Sequence, residues 1–216
     1  MRTRLTKNWS THLPMLIKTA QMTDGPILEI GSGLYSTPLL HWLCYEKKRR
    51  LVTYENDFDY FNFARSFRSK NHDVRFVKDW DEMDIVNKHW SVVLIDHTPS
   101  IRRAADAIRL KNNADYIIIH DTEPEHSDEY DYDRIWPHFK YRYDWKGCKP
   151  WVTVVSNFKD LSNLQYSENI KDSSSSLVTN ESSNAIKAKN LRIFIVFSVY
   201  SVVLIAMFIL FYKFFL

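Results

Sequence analysis

Five short apolar runs, at residues 26–30, 51–54, 74–77, 91–95 and 116–119, are separated by longer stretches of helical character at 37–48, 57–70 and 101–112. A run such as Val92-Val93-Leu94-Ile95 is apolar at every position, so a strand made from it needs cover on both faces. Strands of that kind alternating with helices specify a parallel α/β sheet. After residue 138 the pattern changes. An aromatic and charged stretch at 139–145, a Lys146-Gly147 turn and Trp151-Val152-Thr153-Val154-Val155 predict a terminal antiparallel hairpin. The expected body is residues 1–159, one domain of ordinary size within a chain of 216.

Two further pieces follow it. Residues 160–190 shift to Ser, Asn and Lys, with too few large apolar side chains to offset ordering entropy, and are expected to form a flexible linker. Residues 193–212 contain no charged side chain, and at about 1.5 Å rise per residue they reach across the roughly 30 Å of a bilayer core. We expect a transmembrane helix over 191–213. Lys187, Lys189 and Arg192 precede the run and Lys213 alone follows it, which places the N-terminal domain in the cytoplasm by the positive-inside rule. Residues 1–7 lack the apolar core of a signal peptide, so the expectation is a tail-anchored, single-pass membrane protein. The acceptor patterns at Asn8-Trp9-Ser10 and Asn180-Glu181-Ser182 then remain unglycosylated, and Cys44 and Cys148, far apart and without CxxC spacing, are expected to be reduced thiols.

Charge does not argue for a nucleic-acid partner. The chain carries 29 basic and 26 acidic residues, but the last four basic ones (Lys187, Lys189, Arg192, Lys213) have no acid among them. Without those four, 25 basic residues face 26 acidic ones, and no general excess is left for a phosphate backbone.

Two of the four glycines fall in Leu28-Glu29-Ile30-Gly31-Ser32-Gly33, where a buried strand passes into a helix. Small residues there let backbone approach a ligand, and a helix start presents unpaired N–H groups. The dinucleotide pattern GxGxxG is incomplete, since Ser36 stands at its third glycine, and no GK[ST] of a phosphate loop is present. The next strand ends at Glu55, 22 residues after Gly33. A carboxylate there either accepts both hydroxyls of a ribose or caps the helix that starts nearby. Turn and acid together indicate an adenosine-bearing cofactor.

This layout resembles that of the class I S-adenosylmethionine-dependent methyltransferases. The family's acidic-x-Gly-x-Gly motif matches Glu29-Ile30-Gly31-Ser32-Gly33, its second motif matches Glu55, and the resemblance covers about residues 20–158. It implies a Rossmann-like, mostly parallel seven-stranded sheet whose last strand is antiparallel. It also implies S-adenosylmethionine as cofactor, held by Glu29, Gly31, Ser32, Gly33 and Glu55, with Asp79 and Trp80 at the adenine.

Two strands end in Asp beside His: Ile95-Asp96-His97 and Ile119-His120-Asp121-Thr122. In an open parallel sheet, ligands sit outside the carboxyl ends of the strands, so Asp96, His97, His120 and Asp121 are the expected catalytic group facing the methyl acceptor. The pair resembles the catechol and caffeoyl-CoA O-methyltransferase subgroup, which implies Mg²⁺ on Asp96 and Asp121. This chain has Thr122 where the subgroup has Asn, and Pro99 where it has its lysine base. Without metal, His97 or His120 is the candidate base, since imidazole titrates near neutrality. The run 120–126, rich in His, Asp and Glu, lacks regular ligand spacing and reads as a solvated loop. Arg102 and Arg103 open a helix against its dipole, which points to pairing with Asp121, Glu123 or a substrate anion. The aromatic run Tyr130, Tyr132, Trp136, Tyr141, Tyr143, Trp145 and Trp151 either walls a substrate pocket or packs the hairpin on the sheet.

The leading expectation is methyl transfer from S-adenosylmethionine to an oxygen or nitrogen of a small-molecule, lipid or protein acceptor, by a domain held on a membrane. The alternatives are a catalytically silent Rossmann-like interaction module and a nicotinamide oxidoreductase, the latter disfavoured by the missing third glycine.

Overall fold

The computed structural model describes residues 7–165. Seven strands alternate with helices: α1 (Leu13–Gln21), β1 (Ile27–Ile30), α2 (Ser36–Glu46), β2 (Leu51–Glu55), α3 (Phe58–Ala64), β3 (His72–Phe76), β4 (Trp90–Ile95), α4 (Arg102–Leu110), β5 (Ala114–His120), β6 (Tyr141–Trp145) and β7 (Val152–Ser156). They form one sheet in the order β3-β2-β1-β4-β5-β7-β6. The first five run parallel, β7 lies antiparallel against β5, and β6 pairs with β7 as a hairpin. The order reverses between β1 and β4, which is where such sheets open a crevice.

The all-apolar strands are covered on both faces, as their composition requires. Ile30, Val93, Ile95, Ile117 and Ile119 point to one side, into a core shared with Ala104, Ala107 and Leu110 of α4 and with Trp80, Trp90 and Tyr132. Ile27, Val92, Leu94, Ile118 and Val154 point to the other, against Met15, Leu16 and Ala20 of α1 and Leu40 and Cys44 of α2. Burial pushes the Cys44 thiol up to about 11, so it is inert packing. The aromatic run divides between these faces: Tyr132, Tyr130 and Trp136 pack on the first, and Tyr141, Tyr143 and Trp145 on the second.

Two boundaries and one helix differ from expectation. The helix at 57–70 is short: α3 ends at Ala64 and continues as a 3-10 turn over Arg65–Phe67. The packed body runs past 159, because Leu161 and Leu164 are buried against α1 and the Lys18 ammonium donates to the Leu164 carbonyl at 3.0 Å. Helix α1 itself has no counterpart in the sequence reading. Among the described residues no helix is long and apolar enough to cross a membrane. Most of the expected linker and all of the transmembrane helix lie outside the described residues.

Candidate functional site

The crevice at the β1/β4 reversal is a cleft of about 770 Å³, within the usual range for small-molecule sites. One wall is the turn after β1, Gly31 to Leu34; Glu55, Asn56, Asp57 and Tyr60 follow from β2 and α3. The opposite wall is built by Asp96 to Pro99 after β4 and by His120 and Asp121 after β5, with Arg103 behind them. Asn8, Trp9 and His12 close over it from the segment leading into α1.

Gly31 has φ +88°, and a Cβ there would lie 2.7 Å from the Asp96 carbonyl oxygen and the His97 Cα. The turn therefore presses on the tip of β4, with the Gly31 N–H bonded to the Tyr54 carbonyl and the Asp96 N–H to the Ile30 carbonyl. Gly31→Ala is expected to cost about 1–3 kcal/mol from backbone strain alone, before the clash is relieved. Urea unfolding checks this, and an unchanged midpoint would contradict it.

Glu55 faces the turn. Its Oε2 accepts from the Ser32 N–H at 2.7 Å and the Ser32 hydroxyl at 2.8 Å, and its Oε1 from the N–H groups of Asn56 and Asp57 at 2.7 and 2.8 Å. Glu55 ties the start of α3, whose own cap is Asp57, to the glycine turn, and it lines the cleft.

Glu29 does not reach the cleft. It is fully buried behind the turn, where Thr37 and Thr53 donate to it at 3.0 and 2.7 Å, while the Gly33 N–H donates to the Thr37 hydroxyl. It reaches the glycine turn through Thr37 and is not among the side chains lining the cleft. Burial raises its pKa from 4.5 to about 7, with hydroxyls of Ser36, Thr53 and Thr37 opposing. Between those two values the unfolded chain has released this proton and the folded chain retains it. Stability therefore falls as pH rises through the window, by about 1 kcal/mol per pH unit, and levels off above it. Glu29→Gln removes this contribution; urea midpoints near pH 5 and pH 8 check it, and an identical slope in both proteins would contradict it.

Asp79 and Trp80 are also withdrawn. The Asp79 carboxylate caps a 3-10 turn by accepting from the Asp81 N–H. Trp80 is buried in the core, its indole N–H bonded to the Thr98 carbonyl and its ring 4.4 Å from that of His97. Neither lines the cleft. Asn56 and Thr98, joined by a 3.4 Å hydrogen bond, stand at that end instead.

Of the four expected catalytic residues, three meet. Arg103 bridges the two carboxylates, at 3.0 Å to Asp96 and 2.9 Å to Asp121, and donates to the His97 and His120 carbonyls. His120 Nδ1 lies 3.1 Å from Asp96 Oδ1 and 3.3 Å from Asp121 Oδ1. Burial lowers the His120 pKa, but the two carboxylates raise it by more. Asp96 is pushed up by burial and pulled further down by His120, Arg103 and His12, ending well below the carboxylate range. His97 is the exception. Its imidazole is buried on the far side, 3.1 Å from Asp106, and burial lowers its pKa. Its side chain is committed to Asp106 and Trp80 instead of the carboxylate pair.

His12 went unread in the sequence. It sits at the N-cap of α1, 1 % exposed, with its ring edge-on to His120 at 5.0 Å. Among the described residues neither ring nitrogen has a hydrogen-bond partner, and burial lowers its pKa to about 4. Pro14 in the first turn and the buried spacing of Met15, Leu16, Thr19 and Ala20 mark the helix that carries it.

A magnesium set on Asp96 and Asp121 does not fit these residues. Mg²⁺ takes an octahedron of oxygens, whereas both carboxylates are held by Arg103 and the nearest further donors are imidazole nitrogens. Thr122 faces away, its hydroxyl accepting from Thr153.

Strand order, antiparallel β7 and a cleft at the β1/β4 reversal together define the class I S-adenosylmethionine-dependent methyltransferase fold. Solved structures share it. The chain superposes on a METTL16 methyltransferase domain lacking its extreme N-terminus with TM-score 0.52 and 13 % identity, covering 72 % of this chain and 86 % of that one. A second crystal form of the METTL16 methyltransferase domain gives TM-score 0.51 and 14 % identity, over 72 % and 71 % of the two chains. The human METTL16 N-terminal domain in complex with SAH gives TM-score 0.49 and 13 % identity over 72 % and 74 %. No protein-family model and no curated protein sequence matches the chain.

Proposed function

We propose that the protein transfers the methyl group of S-adenosylmethionine to an oxygen or nitrogen nucleophile of a small-molecule, lipid or protein acceptor. The observation that carries this reading is the cleft at the β1/β4 reversal, where the Gly31–Gly33 turn and Glu55 meet. Gly31, Ser32, Gly33 and Glu55 would hold the nucleoside, with Asn56 and Thr98 at the end of the cleft that would take its base. Asp96, His120 and Asp121 would face its reactive methyl.

The methyl is already activated by the sulfonium, so holding donor and acceptor in line supplies most of the rate. When bound, the cofactor would supply an electrophilic methyl group to the acceptor lone pair, with the carbon–sulfur electron pair left on sulfur. The acceptor proton passes to the carboxylate–imidazole group. Arg103 keeps both carboxylates fixed while this happens.

Calorimetric titration of the full-length chain with S-adenosylmethionine tests the reading. One equivalent bound is expected, and no heat at high micromolar cofactor overturns it. Radiolabelled cofactor in extracts then shows whether the methyl lands in protein, lipid or small molecules. In the same proposal, the apolar run at 193–212 anchors the domain on the cytoplasmic face of a membrane; extraction of the chain by alkaline carbonate would contradict that.

A silent interaction module is the second reading. It is favoured by one observation: Glu55 Oε1 and Oε2 already accept two hydrogen bonds each from the protein. Cofactor binding without transfer to any extract component would support it.

A further inference from the structure

We propose that His12, Asp96 and His120 form a binding site for one borderline divalent transition metal ion of the Zn²⁺, Co²⁺ or Fe²⁺ class, opening into the cleft. Each residue offers one donor atom, and the three atoms lie within 4.8 Å of one another. His120 Nδ1 is 3.1 Å from Asp96 Oδ1, and His12 Nδ1 is 3.8 Å from Asp96 Oδ2. Ligands about 2.0–2.2 Å from a shared ion stand roughly 3–3.5 Å apart, so the cluster is near the spacing such an ion imposes.

The contacts around the cluster turn its donor atoms toward one another. The Thr11 hydroxyl lies 2.7 Å from His120 Nε2 and engages that outer ring nitrogen. That leaves Nδ1 facing the two carboxylates, hydrogen-bonded to Asp96 Oδ1. A metal ion bound there replaces the proton that His120 otherwise shares with Asp96. An outer hydroxyl orienting a metal-bound imidazole is the usual companion of such a ligand. Asp96 Oδ1 accepts from Arg103, whereas Oδ2 is turned toward His12.

His12 supplies the independent observation. A buried imidazole with two unpartnered nitrogens is costly, and native interiors rarely leave one without a reason. Here it is aimed at a carboxylate and a second imidazole. Two imidazoles and one carboxylate form a donor set that suits transition metals and is poor for Mg²⁺. Asp121 Oδ1, 3.3 Å from His120 Nδ1, is within reach as a further oxygen ligand, and the cleft side is left for an oxygen or nitrogen of solvent or acceptor.

The test is a Co²⁺ titration of the tag-free full-length chain, kept in mild detergent and stripped with chelator beforehand. Visible d–d bands saturating at one equivalent are expected, with Zn²⁺ abolishing them and millimolar Mg²⁺ leaving them unchanged. His12→Gln is expected to weaken Co²⁺ binding at least about 10-fold, with a far-UV spectrum matching the parent. His120→Gln serves as a second variant, and loss of the bands in either supports the site. No stoichiometric uptake, uptake indifferent to His12→Gln, or displacement by Mg²⁺ overturns it. Metal uptake is read without methyl donor, so its failure is distinct from a failure to bind S-adenosylmethionine.

Discussion

Arg103→Met is expected to lower the unfolding free energy by about 3–5 kcal/mol, the loss typical when one partner of a buried ion pair is removed. The guanidinium is only 5 % exposed and contacts Asp96, Asp121 and the carbonyls of His97 and His120. Methionine fills much of the space but leaves Asp96 and Asp121 without the cation that bridges them and the His97 carbonyl without its guanidinium donor, while the His120 carbonyl keeps the Tyr132 hydroxyl. Lysine does not restore the arrangement, because a single ammonium cannot fork to both carboxylates and both carbonyls. For a domain of this size the loss corresponds to a melting point lower by roughly 10 °C. Urea unfolding of the variant measures it, and a midpoint within error of the parent would show that the bridge is unimportant. Adding Asp121→Asn to Arg103→Met should recover part of the loss, since one of the stranded charges is then gone.

The same residue shows why the site was only partly legible in the sequence. Two adjacent arginines opening a helix were visible as an anomaly against the dipole, and their spacing from Asp121 allowed a pairing. The division of labour between them was not. Arg102 turns outward to Asp81 and Asp106, and Arg103 turns in. Periodicity carried the fold well, because strands apolar at every position leave little choice but a sheet covered on both sides. It carried side-chain direction at the strand ends poorly. Asp96-His97 and His120-Asp121 look equivalent as dipeptides. Past β4 the aspartate faces the cleft, so the next side chain, His97, is sent into the core beside Asp106 and Trp80. Past β5, Asp121 takes a left-handed conformation, φ 59°, and both side chains of the pair reach Arg103 or Asp96. The third imidazole, His12, comes from a helix crossing over from far along the chain, which no local pattern announces. Asp79 failed for a commoner reason, since an aspartate before a turn is most cheaply satisfied by capping it.

Glu55→Gln is expected to separate structure from ligand binding at the glycine turn. Four donors converge on the carboxylate: the Ser32 N–H and hydroxyl on one oxygen, the Asn56 and Asp57 N–H groups on the other. Glutamine keeps the shape, but its amide NH₂ must meet one of those pairs donor to donor, at a cost of about 1–3 kcal/mol in stability. If the amide turns toward Asn56 and Asp57, the start of α3 loosens; if toward Ser32, the turn itself does. Either way, the edge of the cleft where the proposed ribose lies loses an acceptor. Cofactor affinity should then fall about 10-fold or more, beyond what partial unfolding of a still-folded variant explains. Glu55→Asp is the companion measurement. It keeps the charge but draws it back by one methylene, so the four donors lose reach while an acceptor remains on that wall. A stability loss in Glu55→Gln with unchanged affinity for S-adenosylmethionine would assign Glu55 to the turn alone. Loss of affinity in Glu55→Gln, with partial retention in Glu55→Asp at comparable stability, requires that the carboxylate touch the ligand.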